Sequence, residues 1–309
     1  LNNAANKISR RFGKGGGKTI DEIVKKEILG DLLGVDNDRI ANFEPTINTF
    51  SFVSPYWNPF TAIRWLAGRA IPAAKGSGRA ATAGYAFFET RAGYNFLSYD
   101  YFSKQVPVTR MVVGHEKSEL EDEEDKGITA VDKVTIESSV DLFKGLNYGS
   151  YSSNVMTLDL ANMKYEQHPF SINKYYKDVN VMNSRKTPEF YKGFDNTGTY
   201  TRIMTKISDS ALFTEGEYTQ GFTKQLSQSS LREKLFYNKK VTVELVSDYQ
   251  LEIGEVVQLD IYKGSSDRKQ DFTNSGKYVI GKVERTFKTS EDKMSTRLTL
   301  YTDSDGAES

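Results

Sequence analysis

Apolar residues in the last third of the chain fall in short alternating or β-branched runs, and turn residues separate these runs. The breaks lie at Ser247-Asp248 and at Gly254. This pattern predicts a series of β-strands. The apolar positions are Val241, Val243, Leu245, Leu251, Ile253, Val256, Val257, Leu259 and Ile261.

A long final hairpin is predicted after these runs. Apolar residues recur on both sides of a polar stretch from Lys288 to Lys293, which we expect to be the hairpin tip. A strand-rich segment of this kind predicts a closed or curled β-sheet and excludes a doubly wound nucleotide fold. The region is therefore expected to be a barrel that serves assembly. The apolar hairpin positions are Tyr278, Ile280, Val283, Leu298, Leu300 and Tyr301.

Helical spacing dominates the start of the chain. Apolar residues at three- and four-residue intervals predict an amphipathic helix over Thr19 to Leu33, with Thr19 and Glu22 at capping-box spacing and Gly34 as its end. Pro59 is expected to open a second helix, Phe60 to Ala70, which Ile71-Pro72 ends.

The remaining elements of the first third make it an α+β unit. A strand is predicted around Ile47 to Val53, and a hairpin around Gly93 is expected to be followed by a short strand. The glycine- and lysine-rich stretch Arg10 to Lys18 predicts a flexible hinge. Small residues from Ala73 to Ala83 predict a surface loop.

The middle of the chain has a weaker pattern. Carboxylates dominate Glu116 to Lys126, which predicts a solvated loop or linker. The segment Tyr165 to Thr199 is polar and rich in tyrosine, so we expect an irregular arm that lies over a neighbouring subunit. The other predicted elements are strands at Lys133 to Glu137 and Asn154 to Leu160, and helices at Val140 to Leu146 and Gln220 to Tyr237.

The fold class predicted from these elements is α+β, mainly β, in several domains. A single core seldom grows beyond roughly 250 to 300 residues, and this chain has 309. The predicted segments are a flexible N-terminal segment 1–18, a mixed α+β domain 19–115, an acidic loop or linker 116–127, a mixed and partly irregular interface region 128–200, and a C-terminal β-barrel domain 201–309.

Composition narrows the classes of partner and chemistry. Forty-one basic residues balance 41 acidic ones, so no global field attracts nucleic acid or an anionic membrane. The absence of cysteine excludes disulfides, zinc-thiolate sites and cysteine nucleophiles. No apolar stretch approaches the roughly 20 residues that span a bilayer, and the start lacks the apolar segment of a signal peptide, so we expect a soluble protein.

Candidate catalytic and ligand-binding motifs are weak. Gly17-Lys18-Thr19 before a helix is similar to the end of a phosphate-binding loop, but Phe12 stands where that loop needs glycine. His115 and His168 each stand alone, and the acidic run lacks the spacing of a calcium loop. A pair of carboxylates that converges only in the fold, as in a glycosidase, stays open. We therefore assign no catalytic, cofactor-binding or metal-ligating residue.

Aromatic residues are numerous for so polar a chain, with 18 Tyr and 18 Phe. Tyrosine provides a large contact area at low entropic cost, which suits subunit interfaces, although strand faces also use it. Tyr175 and Tyr176 in the tyrosine-rich segment are our candidates for interface residues, and we expect alanine at either to weaken assembly without unfolding the monomer.

Two regions of the chain, one in the first third and one at the C-terminus, together resemble a known family. The sequences "KTIDEIVKKEILGDLLGV", "FVSPYWNPFTAIRWLAGRAI" and "FFETRAGYNFLSYD" are similar to the central region of baseplate hub proteins from contractile-tailed bacteriophages. The C-terminal strand series, with "GKYVIGKVERTF" before the final strand, resembles the tube-type barrel of these hubs and of type VI secretion spike proteins. Such hubs usually begin with a further tube-like domain, which this resemblance places outside the sequence or on a separate chain.

The resemblance implies a non-enzymatic virion protein without cofactors. A trimeric hub adapts the sixfold tail tube to a trimeric central spike and forms part of the DNA ejection channel. The implied partners are two further copies of the chain, the tail tube or a tube-initiator protein, the spike, baseplate wedge proteins, the tape-measure protein, and DNA that passes without specific binding. The implied location is the tail baseplate of the virion, assembled in the host cytoplasm.

Other functions stay open at this level. A spike-hub protein of a type VI or other contractile injection system would carry the same pattern. A hydrolase of cell wall or polysaccharide would need paired carboxylates, and a glycan-binding tail protein would use exposed tyrosines or Trp57.

Overall fold

A computed structural model of the chain describes most of its residues. The described residues are 7–14, 17–73, 84–113, 128–137, 152–159, 163–171, 180–186, 202–208, 229, 232–237, 239–246, 250–263, 269–289 and 293–306. The expectations for the loop 73–83, the acidic run, the helix 140–146 and the tyrosines at 175 and 176 lie mostly or wholly outside these ranges.

The described residues form strands and a few helices. Helix α1 begins with the turn Ile20–Glu22 and continues as a π-type helix, Ile23–Leu32; α2 is Pro59–Ala67, α3 is Tyr99–Lys104, and Asn37–Arg39 is a 3₁₀ turn. The strands are β1 Ile8–Phe12, β2 Lys18–Thr19, β3 Ile40–Phe43, β4 Thr49–Phe50, β5 Phe52–Trp57, β6 Tyr85–Thr90, β7 Gly93–Ser98, β8 Arg110–Val113, β9 Ile128–Ala130, β10 Lys133–Ile136, β11 Ser152–Asp159, β12 Lys164–Ser171, β13 Arg185–Lys186, β14 Arg202–Ser208, β15 Lys239–Val246, β16 Val256–Lys263, β17 Lys269–Gln270, β18 Gly276–Lys288, β19 Lys293–Thr302 and β20 Ser304–Asp305.

Contacts divide the chain into two compact units that are interleaved along the sequence. Unit 1 comprises Leu1–Tyr99, Leu142–Val179 and Lys192–Glu233. Unit 2 comprises Asp100–Asp141, Asn180–Tyr191 and Lys234–Ser309.

Unit 1 combines helices with small sheets. Its sheets are the pairs β1-β5 and β2-β4 and the three-stranded sheets β3-β7-β6 and β12-β11-β14. Helix α1 is fully buried at Ile20, Ile23 and Ile28, and α2 is fully buried at Ile63 and Leu66. These apolar stripes form one core together with aromatic residues from the strands, among them Phe12, Phe50, Phe52, Tyr85 and Phe96.

Unit 2 is built on an eight-stranded sheet. Its order is β10-β15-β19-β18-β16-β8-β9, and β17 pairs with β16 off this path. One face of the sheet forms an aliphatic core in which the alternate residues of each strand are buried. The core residues are Met111, Val131, Val241, Val243, Leu245, Leu251, Val257, Leu259, Ile261, Tyr278, Ile280, Leu298 and Leu300.

The two edge strands of this sheet are neighbours in the sequence. Only Val131 and Asp132 separate β9 from β10. The Val131 amide donates to the Val112 carbonyl, and the Asp132 amide donates to the Glu244 carbonyl. Three Cα–Cα steps span at most about 11 Å, so the sheet is curled until its two edges approach each other. Among the described residues, the edge strands β9 and β10 do not pair with each other, so the sheet is open and no sheet closes into a barrel.

Several sequence expectations are confirmed. The first helix spans Ile20–Leu32 and is followed by Gly34 at φ 68°, and the second helix starts at Pro59. The hairpin at Gly93, the strands near Lys133 and Asn154, and the two strands of the final hairpin, β18 and β19, are all present. Of the helix predicted at Gln220 to Tyr237, the described residues 232–236 are helical.

Other expectations are wrong. The predicted hinge overlaps the end of β1 and the start of β2, and the strand predicted after the Gly93 hairpin is helix α3. Part of the segment expected to be irregular is β12, whereas Leu251 and Ile253 lie outside any strand. Thr19 occupies the N-cap position of α1 without a capping hydrogen bond from its side chain.

A distant residue serves the start of α1 in place of Thr19. The Asp21 amide donates to Thr46 Oγ1 at 3.2 Å, and Thr46 donates from its amide and its hydroxyl to Asp21 Oδ1 at 3.0 and 2.7 Å. The amides in the first turn of a helix have no partner within the helix and need one elsewhere. Here Thr46, which is distant in sequence, supplies the partner that the sequence predicted from Thr19.

Candidate interaction surfaces

The main candidate site is a shallow groove of about 400 Å³ on the outward face of the unit 2 sheet. The core residues of β15 and β19 point to one face, so their alternate neighbours must line the other. We call this surface the polar plate. It is lined by Lys133, Thr135, Glu137, Lys240, Thr242, Glu244, Lys282, Glu284, Arg297, Thr299 and Tyr301.

Strand register arranges the charges of the polar plate in a row. Lys133 is opposite Glu244, Glu244 is opposite Arg297, and Arg297 is opposite Glu284. The row therefore alternates in sign across four strands, and directly opposite residues with opposite charge stabilise a sheet. Arg297 donates from Nη2 at 2.8 Å and Nε at 3.1 Å to the same oxygen of Glu244.

Two further rows complete the polar plate. One contains Thr135, Thr242 and Thr299, each opposite the next. In the other, Lys240 forms an ion pair with Glu137, and Thr242 Oγ1 donates to Glu137 Oε1 at 3.1 Å.

Ion pairing shifts the pKa values of exposed groups on the polar plate. The hydrogen bond from Lys240 lowers the pKa of Glu137, and the same bond raises the pKa of Lys240. The hydrogen bond from Lys282, at 2.5 Å, lowers the pKa of Glu284. These groups therefore stay charged at neutral pH.

A glycine and a tyrosine form one end of the polar plate. The register shifts between Ile280 and Lys282, which places a β-bulge at Gly281. A Cβ atom at Gly281 would lie 2.4 Å from a ring carbon of Tyr301, so the tyrosine ring covers the glycine backbone. The Tyr301 ring also meets Tyr237 edge-on, with centroids 5.1 Å apart.

Unit 1 carries a second candidate surface, which is aromatic. Phe60 in the first turn of α2 is 36% exposed and packs edge-on against Phe87 at 5.5 Å and Tyr94 at 6.2 Å. Phe87 and Tyr94 stack with centroids 5.6 Å apart, and burial raises the pKa of Tyr94. Exposed aromatic side chains of this kind are typical anchors of protein interfaces.

Tyr56 lies four residues before Phe60 and has an unusual backbone. Its φ is 59°, a conformation that costs a non-glycine residue free energy, and its side chain is 62% exposed. Trp57 is half-buried and packs against Trp65 at 5.7 Å. Tyr56 is therefore the exposed aromatic residue of this corner, whereas Trp57 mainly stabilises the core.

The motif similar to a phosphate-binding loop is occupied by internal contacts. Lys18 Nζ lies 2.9 Å from Glu27, and Glu27 also accepts the Gly13 amide at 2.8 Å. The hydrogen bond to Glu27 raises the pKa of Lys18. Lys18 and Thr19 pair with Phe50 and Thr49 in a two-stranded sheet, so this stretch is held as structure.

Other candidate residues fall in different places. His168 lies on β12, with Nε2 at 3.5 Å from Glu166. His115 and the acidic run lie outside the described residues. Within the described ranges, no three His, Asp or Glu side chains are grouped in a way that could hold a metal ion. No helix in the same ranges is long and apolar enough to cross a membrane.

Two polar residues, Asp260 and Asn183, hold parts of unit 2 together, and the sequence pattern predicts no such role for them. Asp260 is 3% exposed and accepts hydrogen bonds from Arg110 at 2.6 Å, Gln258 at 2.9 Å and Gln270 at 3.1 Å. Asp260 alternates with the apolar residues Leu259 and Ile261, and this pattern predicts an exposed side chain. The prediction fails because periodicity does not show that other polar groups cover that face.

Asn183 is the second such residue. Its amide nitrogen donates to Lys277 O, Thr302 Oγ1 and Ser304 O at 3.0–3.2 Å, and its oxygen accepts the Lys277 amide at 2.7 Å. These bonds fix the segment 180–186 against β18 and the end of β19. Gly276, at φ 145°, leaves room for the Asn183 side chain. The short pair β13-β20 extends the same attachment.

Comparison with known proteins gives a likeness of fold. No protein-family model matches the chain, and no curated protein matches its sequence. The chain is similar to the tail protein from Neisseria meningitidis MC58, with a TM-score of 0.51 and 10% identity over 97% of this chain and 72% of that chain. At this identity the likeness shows a shared fold across nearly the whole chain.

Two further solved structures give weaker likenesses. The 43 kDa tail protein of prophage MuSo2 from Shewanella oneidensis has a TM-score of 0.48 and 8% identity over 94% of this chain and 67% of that chain. A chain of the virion of a native gene transfer agent particle has a TM-score of 0.29 and 12% identity over 67% of this chain and 33% of that chain.

Proposed function

We propose that this protein is a structural component of a phage tail and that, within a contractile tail, it is the baseplate hub. The observation that carries the proposal is the fold shared with the Neisseria tail protein across 97% of the chain. The sequence resemblance to baseplate hubs also supports a phage tail protein, and it depends on the pattern of apolar and aromatic residues, not on the fold.

The proposed hub uses unit 2 as a tube-type barrel. The continuous stretch of β9 and β10 contributes both edges of the curled sheet, and Val131 and Asp132 form the corner between them. A closed sheet has no free edge at this seam, which protects it from unwanted strand pairing. The polar plate would then be part of the outer wall of the barrel.

The hub is proposed to be a homotrimer at the junction of two symmetries. Each copy would contribute the unit 2 barrel, and the further tube-like domain that such hubs carry, outside this sequence or on a separate chain, would supply a second. Three such pairs would present a pseudo-sixfold face to the tail tube and a threefold face to a trimeric spike. In this arrangement the protein contacts the tube or a tube-initiator protein, the spike, the baseplate wedges and the tape-measure protein. DNA would pass through the central channel without specific binding.

The proposed role is structural and not enzymatic. A spike-hub protein of a type VI or other contractile injection system would share this mechanical role, and DNA-filled heads on the particles that contain the protein would distinguish a phage. Release of fragments from purified peptidoglycan or host polysaccharide, abolished by one Glu or Asp substitution, would instead establish a hydrolase.

Negative-stain imaging of the purified chain tests the proposal, with mass in solution determined in parallel. The chain is imaged alone and after co-expression with its candidate spike protein. We expect a threefold ring with a central hole and a mass of three copies. A compact monomer under both conditions would contradict the hub, and a particle of another symmetry would contradict the adaptor role.

A further inference from the structure

The outer half of β18 has a strand neighbour on one side only. β16 pairs with β18 over Gly276 to Val279, whereas β19 pairs with it from Val279 to Lys288. In the part of the chain that the structure describes, Val283–Lys288 therefore has β19 beside it and no strand on its other side, and Thr289 continues this stretch to Val283–Thr289. We call this stretch the open edge.

The open edge is exposed to solvent. Phe287 is 60% exposed, and the residues from Arg285 to Thr289 are all exposed. An exposed edge presents backbone N–H and C=O groups that can pair with another strand. Most proteins protect such an edge with unfavourable charges, so the order of charges along it indicates whether pairing is opposed or allowed.

The sequence of the open edge is complementary to itself. We propose that the open edge pairs antiparallel with the same edge of a second copy of this chain, about a twofold axis at Thr286. In that register Glu284 lies opposite Lys288 of the second copy, and Arg285 lies opposite Phe287. Two ion pairs, two cation–π contacts and a central threonine pair result, and each kind of pair stabilises an antiparallel sheet.

Neighbouring registers lack this match. A twofold axis at Arg285 would place that arginine opposite itself and Lys282 opposite Lys288. An axis at Glu284 would place that carboxylate opposite its own copy. Like charges directly opposite each other destabilise a sheet, so both registers are disfavoured.

Side chains of the open edge already have partners within the chain, and the proposed contact would be added to these. Arg285 donates from Nη2 to the Leu251 carbonyl at 2.7 Å, and a planar guanidinium can keep such a bond while it stacks on a ring. Thr286 and Ser295 are opposite each other on β18 and β19, and both are exposed. Phe287 is opposite Met294, and the second copy would cover its exposed ring. Lys282 already binds one oxygen of Glu284 at 2.5 Å, and a carboxylate can accept further donors from Lys288 of the second copy.

The proposed contact is small, so we expect it to form mainly where other contacts already hold two copies close together. A stretch of seven residues in each copy buries less than the roughly 1,000 Å² expected of a stable interface, so pairing of free chains should be weak. It becomes significant where an assembly already holds copies close together. The contact is isologous and closes on two copies, so it cannot lie between the subunits of the threefold ring proposed above and would instead join two rings or two free chains. Its test is therefore separate from the test of the hub.

Single cysteines test the register, because the chain has no cysteine of its own. Thr286→Cys places two thiols opposite each other, at the 4.5–5.5 Å Cα separation of an antiparallel pair, roughly the distance that a disulfide requires. We expect a disulfide-linked dimer under mild oxidation. Ser295→Cys is the matched control, since it is equally exposed but lies on the inner strand.

A mixture of variants gives the sharper measurement. Glu284→Cys alone should not link, because the two thiols lie four residues apart along the strand, about 14 Å. Mixing Glu284→Cys with Lys288→Cys should produce the dimer of the two different variants. Linking by Glu284→Cys alone, or equal linking by Thr286→Cys and Ser295→Cys, overturns the proposal.

Charge reversal supplies an independent measurement that needs no cysteine. Lys288→Glu should weaken dimerisation in sedimentation equilibrium at least tenfold, and Glu284→Lys combined with Lys288→Glu should restore most of it. Circular dichroism checks that each variant is folded. Equal association of the unsubstituted chain, the single variant and the double variant overturns the proposal. Pairing of the open edge with a strand of a different tail protein, and not with a second copy, also overturns it.

Discussion

Unit 1 and unit 2 stabilise their cores in different ways. The unit 1 core contains stacked aromatic rings, such as Phe12 with Phe52 at 5.5 Å and Tyr85 with Phe96 at 4.6 Å. The unit 2 core is mainly aliphatic and repeats the same alternation on neighbouring strands. Aliphatic residues on a sheet need only the correct face, whereas aromatic rings between helices and strands need a particular geometry.

Polar contacts show the same difference. In unit 1, buried or half-buried polar groups hold chain segments together: Glu27 binds Lys18, and Asn48 binds the backbone of Arg69 and Ile71 at 2.8 and 3.0 Å. In unit 2 many of the polar groups lie in exposed rows on the polar plate, although Asp260 and Asn183 also hold segments together there. Loss of one contact on the polar plate should therefore lower stability less than loss of the Glu27 contacts or of apolar volume in the unit 2 core.

Leu298→Ala should give the largest effect. Leu298 is fully buried between β15 and β18, and removal of such a side chain leaves a cavity that lowers the free energy of unfolding by about 2–5 kcal/mol. Denaturant unfolding followed by circular dichroism measures the loss. Arg297→Ala is the control on the opposite face, and we expect it to cost less than about 1 kcal/mol. Equal losses would contradict the two-faced sheet.

Gly281→Ala should give the next largest effect. The added methyl group would meet the Tyr301 ring at 2.4 Å, and overpacking of this kind costs roughly 1–3 kcal/mol. The same substitution in a Tyr301→Ala background should cost much less, because the ring is gone. A double-mutant cycle in thermal unfolding measures the coupling, and additive effects would show that the ring does not cover the glycine.

Glu27→Gln tests the polar contacts of unit 1. The amide can still accept the Gly13 N–H but loses the charge that holds Lys18, for an expected loss of about 1–2 kcal/mol. Both tryptophans of the chain lie in unit 1, so tryptophan fluorescence reports its unfolding. Glu22→Gln is the exposed control on the same helix. If both variants lose the same stability, burial of Glu27 is not the cause.

The pH dependence of the polar plate should be the smallest effect. The bond from Lys240 lowers the pKa of Glu137 in the folded state, so its stabilisation is present above the ordinary value of 4.5 and is lost as pH falls through the lowered pKa. An NMR titration of the Glu137 carboxyl should give a midpoint below 4.5, and Lys240→Met should raise it. An unchanged midpoint would show that the ion pair does not persist in solution.

Local patterns were sufficient where burial follows the period of one element. The alternation in β15 and β19 predicted both strands, and the spacing of Ile20, Ile23 and Ile28 predicted helix α1. The prediction failed where neighbours override local preference. Residues 99–102 alternate like a strand but form α3, and the polar sequence of β12 becomes a strand because β11 pairs with it along its whole length.

The candidate surfaces depended still more on tertiary structure. The residues of the polar plate are polar positions in four separate strands, and nothing in their spacing shows that Lys133, Glu244, Arg297 and Glu284 form one row. The absence of a catalytic or metal site was an expectation from sequence, and it remains part of the proposal for a structural role.

The sequence by itself determined the mainly β class, most strands of unit 2 with the final hairpin pair β18 and β19, and the two main helices of unit 1. These features depend on residues close together in the chain, whose burial repeats with the period of the element. Only the tertiary structure decided the register, the curled order of the sheet, the partners of Glu27, Asn183 and Asp260, and the open edge of β18. Each depends on contacts between residues distant in sequence, which periodicity does not encode.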